Sequence, residues 1–265
     1  MTILVLNNKK RDNYDHFLDL LDQTHSYRHQ DFHTSFDYRK LAEKILAECA
    51  FMHACSTQEK SALFSEIKIR HLYQGQVLYS RNQSCREIVI ILSGALKLGW
   101  NSYDGKYLIH RFIPMGALLN IVYLISESAF EHDYVAHEAT VIATIPEHIF
   151  KTGIQNNAQM LYQVLKLVCQ RTRLLDNDLY HLSTQPLKVQ IARQLIYLIE
   201  FFSTQTQQGI EVVLKLSQEN LAELLKISRQ SIRKEIQWFI EEGIIETKYN
   251  HISIMNIEKL KSLLR

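Results

Sequence analysis

The chain has 265 residues, 46% hydrophobic and 22% charged, with a formal net charge of +2. That is the composition of an ordinary globular protein long enough for two domains, and with so little net charge any hold on a polyanion must come from local patches. No apolar run is long enough to span a bilayer, the start is too short for a signal peptide, and Cys49, Cys55, Cys85 and Cys169 form no Cys-x-x-Cys pair, so a cytoplasmic chain without membrane segment, zinc ribbon or disulfide framework is expected.

Residues 1–62 read as a helical N-terminal extension. His25, His29 and His33 lie four apart with Asp37 four further on, which is metal-ligand spacing on a helix. The interleaved Tyr27, Phe32, Phe36 and Tyr38 favour packing instead, and no metal is assigned. Leu41 to Leu63 has the pattern of an amphipathic helix.

Residues 63–156 are β-rich. Val77–Tyr79, Glu87–Leu92, Ala95–Trp100, Tyr107–Ile113 and Tyr134–Ile145 are short β-prone runs. Turn residues at Gly75, Asn82, Ser93-Gly94, Asp104-Gly105 and Pro114-Met115-Gly116 separate them, as in a small antiparallel barrel or roll. Asp104-Gly105 is a hairpin signal.

Residues 157–185 carry a countable repeat. Leu161, Leu165, Val168, Thr172, Leu175, Leu179 and Leu182 alternate spacings of four and three, the a/d seam of a coiled coil. A helix buried against its own domain is the simpler alternative. The seam is narrow, however, and Arg171, Arg173, Asp176 and Asp178 are expected on its flanks. Across a dimer each well-buried Leu would contribute about 1.5–3 kcal/mol. Thr172, the one polar seam position, is a candidate for fixing register or touching a ligand. Pro186 breaks the helix, and Leu187 to Phe202 makes another.

Within residues 186–265, Leu216 to Ile245 is the most informative stretch of the chain. Two short helical patterns flank a turn at Lys226 and Ile227, with Ser217 and Ser228 as caps. Leu221, Leu224 and Leu225 face inward from the first helix, and Ile232, Ile236 and Phe239 from the second. The outward start of the second carries Arg229, Gln230, Arg233 and Lys234, with no acid until Glu235. A generic hairpin with a solvated basic face would look similar. The residues downstream distinguish a helix-turn-helix: Gly243 stops the second helix, Ile244–Thr247, Lys248–Asn250 and His251–Ile254 read as strand, turn and strand, and a basic helix closes the chain. That is a winged helix, whose second helix enters a DNA major groove. There Arg can pair with guanine and Gln with adenine. Ser217, Ser228, Arg229, Gln230, Arg233 and Lys234 are the candidate DNA-binding residues.

Roll, long helix and winged helix in that order resemble the Crp/Fnr family of bacterial transcription regulators. The likeness covers about residues 63–254, and its most specific parts are Ser217–Ile245 and the roll segment from Gly75 to Leu96. The resemblance implies an α+β fold: an N-terminal β-roll sensor domain, cyclic-nucleotide-binding-like or cupin-like, then a long dimerisation helix and a C-terminal winged helix-turn-helix. It implies a homodimer on palindromic double-stranded DNA, with RNA polymerase as a further candidate partner and no membrane. The family's base-reading positions fall on Arg229, Gln230 and Lys234. Gln230 stands where Glu is usual, so the site read should differ. Lys226 replaces the common turn glycine.

Members that bind a cyclic nucleotide carry an acid for the ribose and an arginine for the phosphate. Gly116-Ala117-Leu118-Leu119-Asn120 and Asp133-Tyr134-Val135-Ala136 occupy those places here, without either. A phosphate buried there lacks a cation, Asp133 repels it, and Leu118, Leu119, Ile121 and Val122 are expected to make the mouth apolar. Cyclic AMP is therefore not the expected effector. Cys49 and Cys55 do not match an iron–sulfur set, and no cofactor is assigned. Cys85, beside Arg81 and Arg86, is the candidate redox thiol. The competing function is a cupin-like metal-dependent enzyme, or a redox or ligand sensor, whose C-terminal domain is structural; the enzyme needs clustered ligands, and only His110 and nearby His137 are at hand. A regulator that has lost DNA binding would be expected to lose the basic face, which is present.

Overall fold

The computed structural model describes residues 37–206 and 209–264. Its contacts form two compact units. Of the described residues the first takes 37–100 and 112–177, and the second 101–111, 178–206 and 209–264. His25, His29 and His33 lie outside the described residues. Among the described residues the first helix is α1 (Tyr38–Ala47), which Asp37 caps by accepting from the Lys40 amide at 3.1 Å.

The continuous helix expected over Leu41–Leu63 is three pieces: α1, a 3-10 turn Ala50–Ala54 and α2 (Thr57–Ser65). Cys49 and Cys55 take extended backbone at either end of the turn. Ser56 and Glu59 then form a reciprocal capping box that restarts the helix.

The roll beyond α2 has eight strands: β1 (Lys68–Leu72), β2 (Val77–Tyr79), β3 (Glu87–Ser93), β4 (Leu96–Asn101), β5 (Tyr107–Ile113), β6 (Leu118–Leu119), β7 (Asp133–Ala136) and β8 (Thr140–Pro146). They form two four-stranded sheets, β1-β8-β3-β6 and β2-β7-β4-β5. The single run expected over Tyr134–Ile145 is thus two strands in different sheets. The His137 amide and the Thr140 hydroxyl both donate to the Ala95 carbonyl, which bends the chain between them. β3 is buried on both faces from Ile88 to Leu92, which explains its unbroken apolar run. Tyr79 stacks on Phe130 at 4.5 Å, and Phe51 meets Phe150 edge-on.

A short helix, α3 (Ile121–Ser126), interrupts the roll, and α4 (Glu147–Asn156) leads to the long α5 (Ala158–Thr184). Asn157 sits between them. Its side-chain Oδ1 accepts from the Met160 amide at 2.9 Å, and its Nδ2 donates to the Ala54 carbonyl at 2.9 Å, fastening the start of α5 to the 3-10 turn.

The second unit contains α6 (Leu187–Phe202), β9 (Ser203–Thr206), β10 (Gly209–Val212), α7 (Gln218–Leu225), α8 (Arg229–Glu241), β11 (Ile245–Lys248), β12 (His251–Ile254) and α9 (Ile257–Ser262). The wing is a sheet of four strands, β11-β12-β10-β9, rather than a lone hairpin. β9 and β10 are short, and their polar sequence carries little strand signal. Gly209 is required where it stands: φ is +139°, and a Cβ would come within 2.7 Å of the Ile254 carbonyl oxygen.

Candidate nucleic-acid interface

α7 begins at Ser217, whose hydroxyl accepts from the Asn220 amide at 3.1 Å, while Asn220 accepts from the Ser217 amide at 3.2 Å. α8 begins at Ser228, which accepts from the Ser231 amide at 3.0 Å. Both serines therefore act as caps that set where each helix starts. Leu221, Ala222, Leu224 and Leu225 of α7 are buried, as are Ile232, Ile236 and Phe239 of α8, in agreement with the spacing. Between the helices Lys226 adopts the left-handed conformation, with φ 57° and ψ 37°, and the Ile227 amide reaches back to the Ala222 carbonyl at 3.0 Å. The glycine conformation is thus made by a lysine.

α8 ends on a full Schellman motif. The Ile244 amide donates to the Phe239 carbonyl at 3.0 Å and the Gly243 amide to that of Ile240 at 2.9 Å, with Gly243 at φ 65°. Lys188 of α6 lies 3.8 Å from the centre of the Trp238 ring, and Lys259 of α9 bonds the Glu242 carboxylate at 2.6 Å. These contacts leave the other end of α8 outward. Arg229, Gln230, Arg233 and Lys234 are all exposed. Among the described residues none of the four has an ion pair or side-chain hydrogen bond. Arg229, Gln230 and Arg233 line a concave notch of about 530 Å³ together with Gln218. Nothing in the sequence pattern singled out Gln218. It is the first residue of α7, and only the angle between the two helices brings it beside α8.

The wing turns at Tyr249 and Asn250, both at positive φ (49° and 66°), between the paired Lys248 and His251. That is the backbone of a tight two-residue hairpin. Tyr249 is exposed at the tip.

The seam residues lie on a different part of the chain. On α5, Leu161, Leu165, Thr172, Leu175, Leu179 and Leu182 are exposed and Val168 is half-buried. The Thr172 hydroxyl donates to the Val168 carbonyl at 3.1 Å, so the helix backbone already uses it. Met160, Val164 and Arg171 occupy another face and are buried. Arg171 is a correction: it was expected on a solvated flank, and it turns into the roll instead.

Two further expectations about the roll change. Leu118, Leu119 and Ile121 belong to the core and form no open mouth. Cys85 is buried, and burial pushes its thiol up to about 11, with Glu147 and Glu87 adding to the rise. The neighbouring arginines in sequence do not activate it. Asp133 accepts from the Arg81 amide at 2.7 Å, and Asn120 is buried with φ 76° and donates to the Glu87 carbonyl at 3.0 Å. Among the described residues no group of three or more His, Cys, Asp or Glu could hold a metal ion, and no helix is long and apolar enough to cross a membrane.

Two family models match the chain: the cyclic nucleotide-binding domain over residues 69–157 and the Crp-like helix-turn-helix domain over residues 189–263. Its relatives include the CRP-like cAMP-activated global transcriptional regulator of Mycobacterium tuberculosis, 22% identical over 82% of this chain and 97% of that one. They also include the transcriptional regulator SdrP of Thermus thermophilus, 27% identical over 65% and 81%. Among solved structures, FixK2 from Bradyrhizobium japonicum has a TM-score of 0.64 at 14% identity, covering 74% of this chain and 96% of its own. TTHB099, a CRP-family transcriptional regulator from Thermus thermophilus, has a TM-score of 0.62 at 21% identity, covering 74% and 96%. These likenesses show the fold.

Proposed function

Since the chain belongs to the Crp/Fnr family of transcription regulators, carrying its helix-turn-helix DNA-binding domain, we propose that it acts as a homodimer on a palindromic site and is not controlled by cyclic AMP. The observation that carries the DNA reading is the outward end of α8. Two arginines, a glutamine and a lysine stand exposed there, and among the described residues no acid neutralises them. In a major groove Arg229 reads guanine and Gln230 adenine, Lys234 reaches a further base, and Arg233 with Gln218 borders the notch beside them. Ser217 and Ser228 contribute by setting the helix starts, whose amides face phosphates.

The exposed stripe of leucines on α5 supports the dimer. A second copy would bury it, and would place two recognition helices on half-sites about one helical turn apart. RNA polymerase is a further partner in this reading. No residue is assigned a catalytic role.

Two details support control by something other than cyclic AMP. Asn120 stands near the place of the ribose-binding acid and spends its amide on the Glu87 carbonyl. Asp133 spends its carboxylate on the Arg81 amide. Cyclic AMP activation is a property of the mycobacterial relative by its description. Selection of bound sequences from random DNA tests the DNA reading, and an absence of enriched palindromes would overturn it. Calorimetric titration with cyclic AMP tests the second part, and a saturable heat at micromolar nucleotide would overturn that alone.

A further inference from the structure

The tip of the wing is strained. Among the described residues six non-glycine positions have positive φ, three of them asparagines, and Tyr249, at 49°, is the one aromatic. A two-residue hairpin turn of this kind favours asparagine or glycine at its central positions. Asn250, at 66°, meets that preference and Tyr249 does not. A bulky side chain in the left-handed region costs free energy, and such strain gathers where a residue serves function rather than fold.

Packing does not account for the tyrosine. It is 88% exposed, and among the described residues neither its ring nor its hydroxyl has a partner. The chain therefore holds a large apolar ring in water at a position where glycine would be easier to fold.

The tip also has a fixed place. The Leu216 amide donates to the Asn250 carbonyl at 3.0 Å, which ties the turn to the start of α7. Gln218, two residues beyond Leu216, lines the notch with Arg229, Gln230 and Arg233. Tyr249 thus stands at the edge of the surface that α8 presents. With α8 in a major groove, a residue at that edge meets the sugar–phosphate strand and the minor groove beyond it. The exposed Lys248 alongside supplies a charge for phosphate. A phenol has none to offer, and its ring matches the apolar sugar walls of the minor groove instead.

We propose that Tyr249 is a specificity-determining residue whose ring enters the minor groove beside the bases that α8 reads and selects A·T over G·C pairs there. The two pairs differ in that groove by the guanine 2-amino group, which occupies the floor that the ring covers. This inference rests on the DNA reading of α8.

The test is competition binding of the full chain to its selected palindrome, with the pairs flanking each half-site set to A·T, G·C or inosine·cytosine. Inosine lacks the 2-amino group, so its pair resembles A·T in the minor groove and G·C in the major groove. A·T and inosine·cytosine flanks should bind alike, and G·C flanks at least about fivefold more weakly. Tyr249→Gly should bring the three flanks level, leave discrimination at the Arg229 guanine unchanged and raise the Tm of the DNA-free protein, because glycine adopts positive φ freely. Tyr249→Asn, which also suits the turn, should level the flanks too and decides if the glycine variant fails to fold. Tyr249→Phe should keep the preference, since the ring and not the hydroxyl reads. Equal binding to A·T and G·C flanks, inosine·cytosine behaving as G·C, a preference that survives Tyr249→Gly or is lost in Tyr249→Phe, or a lower Tm in Tyr249→Gly overturns the proposal. A selected palindrome with indifferent flanks sinks this inference alone, whereas the absence of any selected site sinks the DNA reading with it.

Discussion

Val164 and Leu165 are consecutive on α5, yet Val164 is fully buried and Leu165 is 54% exposed. One residue turns a helix by about 100°, so the two point to different environments. Val164 packs in its own unit, and Leu165 belongs to the stripe that continues through Leu175 (36% exposed) and Leu179 (65%). Leu165→Asp is therefore expected to leave the monomer folded and to prevent pairing. Sedimentation should show a monomer, and binding to palindromic DNA should be lost. A dimer that persists would move the interface elsewhere. Val164→Asp, in contrast, should destabilise the first unit by well over about 2 kcal/mol, because it buries an unpaired charge.

Arg229→Ala tests base reading. It should weaken binding by about 1–3 kcal/mol and relax specificity at one guanine per half-site. Loss of affinity equal on matched and mismatched sites would mean that Arg229 holds phosphate only.

Lys226 holds a left-handed conformation at the turn between α7 and α8. A side chain there costs about 1–2 kcal/mol, which glycine avoids while losing part of the gain to the entropy of the unfolded chain. Lys226→Gly should stabilise the second unit by about 0.5–1 kcal/mol in chemical denaturation. A fall in stability would show that the lysine side chain does more than occupy the turn.

The cysteines should separate by burial. Cys169 is exposed on α5, whereas Cys49, Cys55 and Cys85 are buried. With its thiol pushed up to about 11, Cys85 is thiolate in only about one molecule in a thousand at pH 8. Iodoacetamide should label Cys169 first, and the other three only on unfolding, as read by peptide mass spectrometry. The raised values carry a stability consequence. A thiol whose folded pKa lies above its unfolded one stabilises the fold fully below about pH 9 and loses that contribution as pH climbs through about 11 for Cys85 and 12 for Cys49. Cys85→Ala should flatten the alkaline limb of the stability curve.

Much of this was legible from local pattern. The periods of 3.6 and 3.5 placed the inward leucines and isoleucines of α7 and α8 and the exposed stripe of α5. Capping chemistry placed Ser217, Ser228 and Gly243, because a cap depends on residues three or four positions away. Those interactions are written in consecutive residues, and a linear reading finds them. Apart from the break in the helix expected over Leu41–Leu63, which a local Ser56–Glu59 capping box restarts, the misses are long-range. Ile210–Val212 of β10 pair with β12, and β9 pairs with β10 in turn; neither strand was visible, since strands so short gain their order from a partner about forty residues away. Gln218 joins the recognition face only through the crossing of two helices. Cys85 was read by its sequence neighbours Arg81 and Arg86, when burial and two glutamates govern it. Arg171 shows the reason most plainly: its neighbours along the chain, Gln170 and Thr172, are exposed, and a charged residue between them reads as solvated. Which way its side chain turns is decided by the Leu118 carbonyl, 53 residues earlier in the chain, and by a desolvation energy that only the assembled roll imposes.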